Sequence, residues 1–295
     1  MKKKSRLNRM KVFDIVNGAI LIILAVILFY PMYYVLLASV SIPAQIAKYR
    51  GIMLLPQGFT LEAYNLVLKN RNILTGYVNT IIVVVAGTFI NMVFTSMLAY
   101  VLSRKNLMLK GLLVGLIMFT MYFQGGLIPT FLLIRDLGML NTRLSLILPV
   151  AINTMNLIIL RTAFQSIPDG LVESAKIDGA GDLMILTKII LPVSKASLAV
   201  ITLYYAVYHW NSWFRASIYI TRARDLLPLQ VILREILIAN NTSMMSYETN
   251  PGEIASLDII LKYATIVVAT VPILLLYPFL QRYFVKGVLI GSLKG

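Results

Sequence analysis

Six long apolar runs, at residues 14–40, 77–103, 110–134, 145–166, 195–220 and 258–281, limit what this chain can fold into. Crossing a hydrocarbon core about 30 Å thick takes roughly 20 mostly apolar residues in a helix, and each run is long enough. Only 13% of the 295 residues are charged while 59% are hydrophobic, and the mean hydropathy is +0.81. A soluble domain carries nearer 25% charge, so the chain belongs in lipid. Backbone groups there must be paired within their own segment, which makes the expected fold class all-α: a polytopic membrane protein with six transmembrane helices. The expected domains are a basic N-terminus at 1–13, a six-helix transmembrane domain at 14–284 and a tail at 285–295. The first run exceeds the roughly 7–15 apolar residues of a signal peptide and lacks a small-residue cleavage site, so it is expected to remain as a span. With 0 cysteines, disulfides and thiolate metal sites are excluded.

A net charge of +15 raises nucleic acid as a partner, but the basic residues flank apolar runs instead of forming a stripe on a soluble fold. Membrane lipid accounts for them, and no nucleic-acid partner is expected. Positive charge collects on the cytoplasmic side of short loops, which places MKKKSRLNRMK inside and, after six spans, Arg282, Lys286 and Lys294 on the same side. Arg104, Lys105 and Lys110 then occupy a short cytoplasmic turn.

Three loops carry further pattern. In the first external loop, Thr60 is positioned to cap a short amphipathic helix with Tyr64, Leu66 and Val67, lying at the outer interface. In the last, Pro228 opens a second interfacial helix, LLPLQVILREILIAN, which Asn240 and Asn241 end. The cytoplasmic loop at 167–192 is unlike both, because Asp169, Glu173, Asp178 and Asp182 are four of the chain's 12 acids. Pro168 and the acids suit a helix N-terminus, and the glycines of DGAGD end that helix. Asp182 then caps a second helix that Pro192 kinks or stops. The expected product is a helix–turn–helix elbow.

Written out, the elbow is ESAKIDGAGDLMILTKIILP, with Glu173-Ser174-Ala175, Gly179, Ile189, Leu191 and Pro192 at fixed spacing. It resembles the EAA loop of binding-protein-dependent ABC importer permeases in every element except Ser174, where a small residue replaces alanine. MYFQGGLIPTFLLIRDLGMLNT, NLIILRTAFQSIP and AVYHWNSWF are similar to the carbohydrate class, the branch that imports oligosaccharides and acidic polysaccharide fragments. The resemblance covers roughly residues 10–290 and implies the type I ABC importer permease fold. It implies that Glu173, Ser174, Ala175, Asp178, Gly179, Ala180, Gly181, Ile189, Leu191 and Pro192 couple to a separate ATPase, with Glu173 pairing with a basic group there. It further implies a second permease subunit in a heterodimer, two ATPase subunits, an extracellular sugar-binding protein and a bacterial plasma membrane. No G-x-x-x-x-G-K-[ST] occurs, so ATP and Mg belong to the partner and this chain binds no cofactor of its own.

Polar groups within spans cost free energy unless paired, so they mark cavities or helix contacts. Asn79, Asn91, Gln124, Asn153 and Asn156 lie in spans two to four, and span five carries Tyr204, Tyr205, Tyr208, His209, Trp210, Asn211 and Trp213. Sugars offer CH faces to aromatic rings and hydroxyls to amides, which makes Asn79, Gln124, Asn153, Asn156, Tyr205, Tyr208, Trp210, Asn211 and Trp213 the candidate pathway. Interfacial aromatic belts and interhelical asparagine bonds are the alternative reading. His209, alone of its kind, reads as a packing residue, because a metal site needs further ligands. Gly125, Gly126 and Pro129 weaken the third helix, opening backbone to a cavity or kinking it for packing. Arg135, Arg143, Arg215, Arg222 and Arg224 toward the outer side suggest an acidic oligosaccharide, with snorkelling to headgroups as the alternative.

An intramembrane enzyme lacks a nucleophile–base set here, with 1 histidine and no G-x-S-x-G or H-E-x-x-H. A secondary transporter or channel for a polar solute, working without an ATPase, shares the hydropathy, but the middles of these spans hold no Asp or Glu for an acidic relay. A plain membrane anchor leaves the elbow without a use. The expectation is a non-catalytic permease subunit importing carbohydrate.

Overall fold

A computed structural model describes residues 2–237 and 260–275, with side chains from Phe13 onward. Asn240, Asn241, Arg282, Lys286, Lys294 and the tail 285–295 lie outside the described residues. Among the described residues every regular element is helical. In chain order these are α1 (Lys2–Ser39), α2 (Pro43–Ile46), α3 (Glu62–Lys69), α4 (Arg71–Ser103), α5 (Lys110–Tyr122), α6 (Leu127–Asp136) and α7 (Leu144–Ile147), which a 3-10 turn extends through Leu148–Val150. There follow α8 (Thr154–Gln165), α9 (Asp169–Ile177), α10 (Asp182–Ile185), a π turn at Leu186–Ile190, α11 (Leu191–Val193), α12 (Lys195–Trp210), α13 (Phe214–Tyr219) and α14 (Leu229–Leu237), then α15 (Ile260–Leu275).

Two of these helices cross a membrane unbroken by length and composition, Phe13–Ser39 of α1 and all of α4, and the count rises to five if each bent pair is one span. The pairs are α5 with α6, bent by 109°, α7 and its extension with α8, bent by 51°, and α10–α11 with α12, bent by 89°. Runs three, four and five are therefore not straight rods. In the third, the helix stops at Tyr122 and restarts at Leu127 after Gly126, whose φ of +85° is open to glycine at no steric cost. In the fifth, Pro192 does not stop the helix. The π turn at Leu186–Ile190 precedes it, and the bend falls at Ser194. The helix of this run then ends at Trp210, ten residues short of the expected 220. The sixth run is described only in α15.

The chain divides into two compact units. In the first, the basic N-terminal segment is not separate from the first span, since α1 is helical from Lys2. The loop after α1 folds back on it: Met53 N donates to the Tyr30 hydroxyl at 2.9 Å, and the Tyr33 hydroxyl donates to Leu54 O at 2.9 Å. The expected helix after Thr60 is α3. Thr60 does not hold its cap position, which falls to Leu61; from one residue earlier Thr60 Oγ1 accepts from Glu62 N at 3.2 Å, and Ala63 and Val67 face inward.

The second unit runs from Arg71 through Glu235 and is built around α4. From Asn79 to Ser103 every Asn, Ser and Thr of this helix is buried, while Ile81, Val85, Phe89, Phe94 and Met97 are exposed. That is inside-out relative to a soluble helix and suits lipid, where small and hydroxyl side chains let helices approach and bond. Helices α8 and α12 pack on this stripe. At the N-terminal end of α4, Gly76 lies against α14: an added Cβ would sit 2.6 Å from Ile232 Cδ1 and 3.1 Å from Leu229 Cα. Thr80 Oγ1 there accepts from Leu229 N at 2.9 Å, satisfying a donor that the start of a helix leaves open. Leu229, Val231, Ile232 and Leu233 are buried. Thus α14, expected as an interfacial helix, packs its apolar side against the N-terminal end of α4.

Gly76→Val should overpack this contact and cost about 1–3 kcal/mol, lowering the Tm of the detergent-solubilised protein. Gly115→Ala, where an added Cβ meets nothing within 4 Å, should leave it unchanged.

Candidate functional site

The elbow forms as expected, and its turn explains the need for glycine. Ala180 N donates to Ala175 O at 2.9 Å and Gly179 N to Lys176 O at 3.1 Å. These two bonds close α9 as a Schellman motif, with Gly179 in the left-handed region at φ +80°. Asp182 does not cap the next helix: Gly181 holds the cap position, and Asp182 opens α10. Its Oδ1 accepts from the Tyr100 hydroxyl at 2.9 Å, 82 residues away in sequence, with Lys176 Nζ at 4.0 Å. Lys105, just beyond the end of α4, pairs with Asp169 Oδ2 at 2.5 Å. Bonded to that ammonium, the Asp169 carboxyl is held below the usual carboxylate range, and Lys105 is raised in turn. Both groups are exposed, so salt weakens this tie.

The inner face of the elbow is apolar and fixed. Val172, Ala175, Ile185, Leu186 and Ile190 belong to one buried cluster with Tyr100 and Leu102 of α4, Leu157, Leu160 and Phe164 of α8, and Ile201 and Tyr205 of α12. The outer face is uncovered. Glu173, Ser174, Asp178, Gly179, Gly181 and Pro192 are exposed, Ala180, Ile189 and Leu191 partly so, and Ala175 is buried. Beside them stand apolar side chains that sequence reasoning passed over: Ile177 is 86% exposed and Leu183 68%.

Away from the elbow, where α12 ends, a cavity of about 940 Å³ is lined by Tyr204, Tyr208, Trp210, Asn211, Trp213, Phe214 and Arg215, among others. Four of the nine candidate pathway residues, Tyr208, Trp210, Asn211 and Trp213, therefore come together. The break after Trp210 turns their side chains into one space, with Asn211 closing α12. Arg215, a residue singled out only for its charge, completes the lining. Its guanidinium lies 4.6 Å from the Tyr208 ring centroid, Nη1 donates to the Tyr208 hydroxyl, and Nη2 donates to Ser212 Oγ at 3.3 Å. Nε has no acceptor among the described residues. Arg234 stacks over Trp213 at 3.9 Å.

The other five are placed elsewhere. Asn79 is buried, donating Nδ2 to Asp225 O at 2.6 Å and Leu227 O at 3.2 Å while accepting from Arg143 Nη2 at 2.8 Å. It thereby pins the segment before α14. Asn153 is the N-cap of α8, its Oδ1 accepting from Asn156 N at 3.0 Å; Asn156 is buried in the first turn of α8. Tyr205 is buried between helices, bonding Thr95 Oγ1 at 2.7 Å and accepting from Asn153 N at 3.0 Å. Gln124 lies exposed in the break between α5 and α6. His209 is buried, as a packing residue should be, with Nε2 2.7 Å from Asn91 Oδ1. Of the arginines that suggested an acidic cargo, Arg135 pairs with Asp136 at 2.9 Å and Arg224 with Glu235 at 2.7 Å.

A fixed elbow with an uncovered outer face, joined through packed bent spans to an aromatic cavity, defines a membrane transport subunit. The chain belongs to the family of binding-protein-dependent transport system inner membrane components, whose pattern matches residues 96–290. It is a non-catalytic membrane permease, of a class that works with an ATPase and a substrate-binding protein, and this sets aside the secondary transporter. It is 41% identical, over 97% of its length and 99% of the relative's, to the polygalacturonan/rhamnogalacturonan transport system permease YtcP of Bacillus subtilis. Protein LplC of the same organism is 40% identical over 97% of this chain and 96% of its own. Among solved structures, a bacterial ABC transporter involved in the import of the acidic polysaccharide alginate contains a chain that matches with a TM-score of 0.85. That chain is 35% identical to this one over 93% of this chain and 97% of its own.

Any β-branched residue at position 179 must adopt a left-handed backbone, at about 1–2 kcal/mol. Gly179→Val should therefore speed amide exchange in the last turn of α9 by about 5–30-fold, and Gly179→Asn, which tolerates that region, by much less.

Proposed function

We propose that this chain is one of a heterodimeric pair of permease subunits in an ATP-driven importer whose cargo is an acidic oligosaccharide. Its termini and elbow face the cytoplasm of a bacterial inner membrane. Two ATPase subunits, which carry the ATP and Mg, receive the elbow, and an extracellular sugar-binding protein delivers the cargo. The cargo assignment is carried by one observation, the cavity where Tyr208, Trp210 and Trp213 meet Arg215. Aromatic faces take the CH faces of sugar rings, and the planar guanidinium matches a carboxylate in fork geometry. Relatives named for polygalacturonan, rhamnogalacturonan and alginate point to the same class of cargo.

The outer face of the elbow supports the coupling role. Small residues at 174, 175 and 179–181 permit close approach, Ile177 and Leu183 supply apolar area, and Glu173 offers a charge to a basic partner. The positive-inside pattern supports the orientation.

Two experiments on the reconstituted complex test this reading. Arg215→Gln should reduce uptake of uronate oligosaccharides about tenfold at sub-saturating concentration, as expected for loss of a charge-assisted pair, and leave neutral oligosaccharides unaffected. Uptake of neutral sugars only would contradict the acidic cargo. Glu173→Arg should insert normally but dock the ATPase weakly and lose transport; unchanged uptake would remove the coupling role.

A further inference from the structure

The bend in the fourth run opens a hole in its hydrogen bonding, which one side chain from each of two other helices fills, each held by a side chain of the opposite helix. Between the 3-10 turn ending at Val150 and the start of α8, the chain turns by 51°. Val150 O accepts from Asn91 Nδ2 of α4 at 2.5 Å, and Asn153 N donates to the Tyr205 hydroxyl of α12 at 3.0 Å. These two helices are bonded to each other at the same points, through Asn91 Oδ1 with His209 Nε2 at 2.7 Å and Thr95 Oγ1 with the Tyr205 hydroxyl at 2.7 Å. Asn91 and Thr95 are four residues apart on α4, and Tyr205 and His209 four apart on α12, so each helix presents one pair on one face.

The Asn91–His209 half of the pattern has a single consistent assignment, while in the other half either hydroxyl, of Thr95 or of Tyr205, can donate. The Asn91 amide must turn its NH2 to the Val150 carbonyl, which leaves its oxygen to accept from His209 and requires the proton on Nε2. Gly87 permits the approach, since an added Cβ would fall 2.6 Å from that nitrogen. All four side chains are at most 2% exposed. None of them lines the cavity, yet His209 sits between Tyr208 and Trp210, which do. Tyr205 also belongs to the apolar cluster that holds the inner face of the elbow.

We infer that Asn91, Thr95, Tyr205 and His209 are positioning residues that clamp the bend of the fourth run to α4 and α12, so that displacement of the elbow reaches the cavity instead of being absorbed at the bend. The inference rests on the coupling role proposed above and adds the element that transmits it. A bend with unpaired backbone groups in a water-poor interior is costly, whereas a bend satisfied by both neighbours moves only with them.

The test uses the complete complex with its ATPase, partner permease and binding protein in proteoliposomes, reading cargo imported per ATP hydrolysed. Thr95→Val, which removes one hydroxyl at constant shape, and Asn91→Leu should each leave ATP hydrolysis near the wild-type rate while lowering cargo per ATP about tenfold, and Thr95→Ser should keep the wild-type ratio. A wild-type ratio in both Thr95→Val and Asn91→Leu overturns the clamp, as does a fall of hydrolysis and uptake in proportion, the mark of a merely structural role. Glu173→Arg in parallel separates the two readings. If it abolishes transport while Thr95→Val couples normally, only the clamp fails; if it transports normally, the elbow reading fails first.

Discussion

In the interior of a membrane a helix can bend only where something replaces the backbone partners that the bend removes. Three apolar runs of this chain are bent, by 51°, 89° and 109°, and the larger unit is organised by how those openings are closed. A left-handed glycine marks one, a π turn ahead of a proline precedes another, and side chains of α4 and α12 close the third. The buried polar stripe of α4 follows from this need. Its asparagines and hydroxyls bind backbone at Val150, Asp225, Leu227 and Leu229, which a uniformly apolar helix would leave unpaired.

The elbow depends on the same arrangement. Its two short helices are too small to hold together alone, and they stand because their inner faces enter the cluster formed by α4, α8 and α12. Tyr100 and Lys105, at the end of α4, fasten one carboxylate on each arm, Asp182 and Asp169. The elbow is thereby packed on the same helices, among them α12, whose end lines the cavity.

Much of this was legible in the sequence, and what was not has physical causes. Hydropathy located the helices because lipid demands apolar length, but it averages over a break of a few residues, so the bend after Val150 could not be seen, whereas Pro192 announced the bend of the fifth run two residues early. The elbow was legible down to Gly179 because a Schellman turn needs a left-handed residue, and glycine advertises it. Asp182 was misjudged because capping is a local rule, whereas its actual partner, Tyr100, is distant in sequence. The pattern of α14 is the same for a helix resting on a surface and one buried against Gly76. Of the candidate pathway residues, the aromatic and amide groups around the end of α12 line one cavity. Asn79, Asn153 and Tyr205 have the same chemistry but serve backbone, and composition does not separate those two uses. The spacing of four between Asn91 and Thr95, and again between Tyr205 and His209, was the available signal for the clamp.

The central claim is that the elbow and the packed bent helices of this chain move as one body. With 0 native cysteines, spin labels can be placed at Lys188 in the elbow and at Met155 near the bend of the fourth run, both exposed. Their separation can then be measured by pulsed electron paramagnetic resonance in the assembled transporter, nucleotide-free and ATP-trapped. The account predicts that the Lys188–Met155 distance stays within the width of its distribution, while the distance from Lys188 to a label on the partner permease changes. A change in the Lys188–Met155 distance as large as that between the subunits would contradict it.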